Sequence, residues 1–119
     1  MYGLPQNIDL SFLVGKTIIQ VCVGFNEIIL NLDEGHISIC IQSACACHSE
    51  DGSTLQIEAY PVSASTICGL LGKPITQAQG EENGTLTIKF LGGSVFTVYD
   101  DDKQYESYQI KHGDKLIVV

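Results

Sequence analysis

The segment Leu13-Val14-Gly15-Lys16-Thr17-Ile18-Ile19-Gln20 recurs as Leu70-Leu71-Gly72-Lys73-Pro74-Ile75-Thr76-Gln77, and the pattern that follows each copy is repeated as well. The chain is an internal duplication, with repeats at about 13–42 and 70–99. Gly15 and Gly72 lie 57 residues apart (72 − 15), Gly35 and Gly93 58 apart (93 − 35), which puts one extra residue in the intervening turn. Copies of one pattern adopt one local structure, so the fold must be assembled from the same small unit used twice.

That unit reads as an antiparallel three-stranded meander. Residues 17–23 are rich in β-branched side chains and stop at the turn cluster Gly24-Phe25-Asn26. Ile28, Leu30 and Leu32 then alternate with Ile29 and Asn31, Asp33-Glu34-Gly35 turns the chain, and Ile37, Ile39 and Ile41 alternate with Ser38 and Cys40. A period of two in consecutive runs, with turn residues between, is the mark of neighbouring antiparallel strands with one buried face. The second copy repeats this over 75–79, over Leu86, Ile88 and Phe90 after the hairpin signal Asn83-Gly84, and over 94–99 after Gly92-Gly93. Val95, Phe96, Val98 and Tyr99 fall on both faces of that last run, which makes it a strand covered on both sides and a candidate for the centre of its sheet.

Each copy carries a tail. Residues 43–53 read as a polar loop, 54–60 as a strand with Leu55 and Ile57 inward, and 61–71 as a short turn or helix leading into the second copy. After the second copy, Asp100-Asp101-Asp102 reads as a solvated loop, and 105–111 pairs with 115–119 across a turn holding His112, Gly113 and Asp114. About eight or nine strands result, each of the usual length of about five or six residues. Each buried Ile or Leu stabilises by roughly 1.5–3 kcal/mol, so two meanders with one apolar face apiece pack those faces together. The expected fold is all-β, a sandwich or flattened barrel forming a single domain over 1–119, with at most one short helix near 62–71. A single twisted sheet is the competing arrangement.

Composition narrows function mainly by exclusion. The 119 residues carry a net charge of −8, and the only cations are six scattered lysines, with no arginine. Such a field repels nucleic acid and anionic membrane surfaces, and the bidentate phosphate fork is missing. No run of about 18 apolar residues and no leader pattern is present, so a cytoplasmic chain is expected. Five cysteines without framework spacing fit free thiols in a reducing compartment.

Few motifs suggest chemistry. Cys45-Ala46-Cys47-His48 offers soft ligands for zinc, but structural zinc sites want two to four residues between cysteines and a second ligand pair. No cofactor is expected. A cysteine nucleophile needs a neighbouring base, and His36, His48 and His112 show no spacing that pairs one with a thiol, so the chain is read as a non-enzyme. Acids gather at turns, where they keep sheet edges soluble. Asp100, Asp101 and Asp102, with Tyr105 and Tyr108 close behind, form the candidate partner-binding set, because anions steer a basic partner and tyrosines bring contact area at little entropic cost. The tyrosines are three residues apart, hence on opposite strand faces, one inward and one outward. An open sheet edge also suits pairing with a second copy.

Tyr2-Gly3-Leu4-Pro5, the run from Asp9 through Phe12 to Lys16, and the ending Tyr105-Glu106-Ser107-Tyr108 before Gly113-Asp114-Lys115-Leu116-Ile117-Val118-Val119 resemble a family of small uncharacterised bacterial proteins. The resemblance covers most of the chain and leaves out 43–53. It carries no catalytic residue. Small acidic bacterial proteins of this type include immunity proteins that neutralise toxins, so the resemblance implies a non-enzymatic protein-binding domain with a basic partner. The alternative expectation is a small-ligand or metal-binding module that uses Cys45, Cys47 and His48.

Overall fold

The computed structural model describes residues 4, 8–33, 36–57, 69–101 and 107–119. Among these, ten strands form two antiparallel five-stranded sheets, and the only helical element with named bounds is a 3-10 turn at Ser11–Leu13. The first meander is β1 (Ile18–Val23), β2 (Ile28–Leu32) and β3 (Ile37–Ile41), followed by the hairpin β4 (Cys45–His48) and β5 (Thr54–Ile57). The second is β6 (Ile75–Gly80), β7 (Leu86–Phe90) and β8 (Val95–Val98), followed by the hairpin β9 (Tyr108–His112) and β10 (Lys115–Val118). The sheets run β1-β2-β3-β9-β10 and β5-β4-β8-β7-β6, and together they make a sandwich rather than a closed barrel.

Alternation decides which side chains enter the core. Ile28, Leu30 and Leu32 in β2 and Leu86, Ile88 and Phe90 in β7 are buried and belong to one cluster with Ile39, Ile41, Phe96 and Val98. The intervening Ile29 and Asn31 remain half-buried. β8 stands at the centre of its sheet, as its two-faced apolar pattern predicts, although Ser94, Phe96 and Val98 are the inward residues.

The two meanders repeat each other in several backbone features. The β1–β2 ladder slips between Ile18 and Gln20, and the β6–β7 ladder between Ile75 and Gln77, 57 residues on. The N–H of Gly15 donates to the carbonyl of Ile75 (2.8 Å), and that of Gly72 to the carbonyl of Ile18 (3.0 Å), so each copy clasps the other reciprocally where Thr17 and Pro74 bridge the sheets. One local difference is chemically instructive. Asp33 N–H donates to the Thr17 carbonyl as Leu91 N–H donates to that of Pro74, but Thr17 also has its own N–H, which donates to Asp33 Oδ1 at 3.0 Å. Proline has no N–H to satisfy, and the matching residue needs no carboxylate. Asp33→Ala is therefore expected to cost about 0.5–1.5 kcal/mol in urea unfolding, while Leu91→Ala leaves every hydrogen bond at its bridge in place.

Three sequence expectations are corrected. The offset between copies is 58 in the second strand but returns to 57 in the third, because Ile28 pairs with Ile41 as Leu86 pairs with Val98, and the β7–β8 turn is one residue shorter than its counterpart. Residues 43–53 are not one loop. Cys45–His48 is a strand held between β5 and β8, with Cys45, Ala46 and Cys47 all buried, and small side chains that look loop-like in sequence suit a strand covered on both faces. His112 closes β9 rather than sitting in the turn, and its ring stacks on Phe12 with centroids 4.4 Å apart and an interplanar angle of 6°. The helix expected near 62–71 falls mostly outside the described residues; Gly69 and Leu70 form a 3-10 turn.

The tail hairpins change sides. β4–β5 follows the first meander yet completes the second sheet through β8, and β9–β10 follows the second meander yet completes the first through β3. The crossing strands tie each other down, Tyr99 N–H donating to the Ala44 carbonyl (3.0 Å) and Gln42 N–H to that of Ser107 (2.8 Å).

Candidate functional site

The described members of the candidate partner-binding set divide by burial. Tyr108 lies in the core, fully buried, and its hydroxyl donates to the Gly84 carbonyl at 2.7 Å, so it offers nothing to a partner. Burial pushes its hydroxyl well above the ordinary tyrosine range. Asp100 is half-buried and accepts a bond from Ser107 Oγ at 2.7 Å, while Asp101 is exposed and its Oδ1 accepts the Ala44 N–H at 3.4 Å. Asp102 and Tyr105 fall outside the described residues. The Asp100 side chain packs on Gly84, which places Asp100 and Asp101 beside the exposed Glu81 and Glu82 of the β6–β7 turn. Two acidic turns distant in sequence thus meet at one end of the molecule.

Cys45, Cys47 and His48 do not converge as ligands. Cys45 and Cys47 point into the core, and His48 Nδ1 lies 2.9 Å from Thr54 Oγ1 across the hairpin. Among the described residues no group of three or more His, Cys, Asp or Glu side chains is placed to hold a metal ion. Burial raises the Cys47 thiol, with the Lys73 ammonium pulling the other way, and burial followed by hydrogen bonding to Glu27 takes Cys40 up to about 11. A raised thiol stays protonated near neutrality and is a poor nucleophile.

Cys47 instead borders a cleft that sequence reasoning missed. It measures about 280 Å³ and lies between the β4–β5 turn and the segment leading into β6, lined also by Ser49, Glu50, Gly69, Lys73 and Ser94. Lys73 Nζ pairs with Glu50 Oε1 at 2.9 Å and donates to the buried Ser94 Oγ at 3.3 Å. Glu50 reaches this position by passing over Gly92, where an added Cβ would stand 2.6 Å from Oε1. Asp51 caps the same turn by accepting from Ser53 N–H and Oγ, bonds that lower its carboxyl below the usual range. Lys73 was visible as a residue of the repeat, but its ion-pair partner Glu50 comes from the tail, where the copies share no sequence.

Residues 10–119 match the model of a family of unknown function, DUF6188. The chain belongs to that family. No curated protein and no solved structure matches it significantly. The DUF6188 match takes in both meanders and both tails, so the acidic end and the cleft lie within the family's domain. Among the described residues of this DUF6188 chain, no helix is long and apolar enough to cross a membrane.

Proposed function

We propose that the protein is a non-enzymatic protein-binding domain, of the immunity type, that neutralises a basic bacterial toxin or enzyme in the cytoplasm by covering it with the acidic end. The observation that carries this reading is the meeting of Glu81 and Glu82 with Asp100 and Asp101 through the contact of Asp100 with Gly84. Asp100 is fixed by Ser107, whereas Glu81, Glu82 and Asp101 are exposed. The net charge of −8 supports it as well, since a complementary field raises the encounter rate and makes docking sensitive to salt. Free thiols at Cys22, Cys40 and Cys47 suit a reducing compartment. Raised thiols at Cys40 and Cys47 argue against covalent catalysis through either.

Affinity capture from the native bacterium tests the reading. A basic protein should co-purify, its release should rise with salt, and Glu81→Lys with Glu82→Lys should slow association roughly tenfold or more. A captured partner whose binding ignores both salt and these substitutions contradicts the proposal.

A further inference from the structure

The cleft has a counterpart in the other half of the molecule, where two rings are stacked. An offset of 57 relates Gly69 to Phe12, Leu70 to Leu13, Lys73 to Lys16 and Ser94 to Ile37, following the pairing of the meanders. In the tails, Cys45 pairs with Val98 as Tyr108 pairs with Ile41, an offset of 63 (108 − 45) that relates Cys47 to Ile110 and Ser49 to His112. Where Phe12 and His112 stack, the cleft therefore has Gly69 and Ser49. A Cβ added to Gly69 would meet none of the described residues within 4 Å.

We propose that this cleft binds a neutral, fused two-ring heteroaromatic ligand of the purine type, as free base or nucleoside, seated where the other half holds its own stacked rings. Three observations select that class. A cavity of about 150 Å³ takes benzene, so about 280 Å³ has room for a bicyclic ring. The polar groups at the cleft include a donor and an acceptor side by side, Lys73 Nζ and Glu50 Oε1 at 2.9 Å, with Ser94 Oγ behind them. An apolar ring covering this pair would strip its water without replacing it, whereas a base edge bearing an acceptor next to a donor bonds both. The third is charge. Among the described lining residues Glu50 and Asp51 outnumber Lys73, so a phosphate-bearing form of the ligand is disfavoured. The site stands apart from the acidic end and does not depend on the partner-binding reading.

Titration of the full chain with adenine, guanine, adenosine and guanosine, followed by calorimetry and amide chemical shifts, tests this. At least one should bind saturably, shifting Ser49, Gly69 and Ser94, and the matching monophosphate should bind several-fold more weakly. Gly69→Phe with Ser49→His rebuilds the ring stack and should abolish binding, with its melting temperature reporting whether the fold is intact. Lys73→Met, which leaves the space open, should weaken binding roughly tenfold or more, as expected for loss of a charge-assisted bond. Absence of saturable binding by all four compounds overturns the proposal. So does binding that survives in a folded Gly69→Phe, Ser49→His variant, or a monophosphate that binds more tightly than its base.

Discussion

Tyr108→Ala is expected to lower unfolding stability by about 3–5 kcal/mol, and Tyr108→Phe by about 1–3 kcal/mol. The ring is among the largest fully buried side chains, and in β9 it stands opposite Ile41, at the point where the second hairpin enters the first sheet. Its hydroxyl crosses to the Gly84 carbonyl in the turn of the other sheet, so one side chain links both layers. Removing only the hydroxyl leaves a buried carbonyl without that donor; removing the ring adds a cavity. Urea titration separates the two, since both variants should shift the midpoint with little change in slope. A Tyr108→Phe protein as stable as the wild type would show that water or another donor replaces the hydroxyl.

Gly84→Ala should be the more damaging of two glycine substitutions made at hairpin turns. Gly93 has φ +108 with none of the described residues within 4 Å of an added Cβ, so Gly93→Ala is expected to carry backbone strain alone, about 1–3 kcal/mol. Gly84 has φ +94, and an added Cβ there would collide with the Asp100 side chain, a crowding expected to cost a further 1–3 kcal/mol. Thermal melting of both variants, and of Gly84→Ala combined with Asp100→Ala, isolates the second contribution as a coupling energy. Equal losses at the two glycines, with no recovery in the double variant, would mean that the acidic turn yields easily and is not held against β7.

Strand content and the inward faces were legible because alternation leaves a record in every short run: Ile28, Leu30 and Leu32 announce a half-buried strand wherever they occur. The strand at Cys45–His48 left no such record. It is buried on both faces, so its residues do not alternate, and none of them is a large aliphatic that would mark a core. Tyr108 was legible only as one of a pair on opposite faces; which member turns inward depends on the pairing of β9 with β3, nearly seventy residues upstream. The cleft was hidden for a related reason. Cys45-Ala46-Cys47-His48 and Tyr108-Gln109-Ile110-Lys111 share no residue, so only their matching places in the sheets equate Ser49 with His112. The acidic turns were each plain in sequence, while their adjacency is a property of packing.

The exchange of hairpins has a consequence for how this chain can be divided. A fragment holding one meander and its own tail contains two pieces that belong to different layers, and neither supplies the edge the other requires. Such a fragment would shelter its oily side only by embracing a twin in reciprocal fashion. Severed halves, mixed together, would by the same logic reconstitute one molecule from two strands of polypeptide, each inert alone.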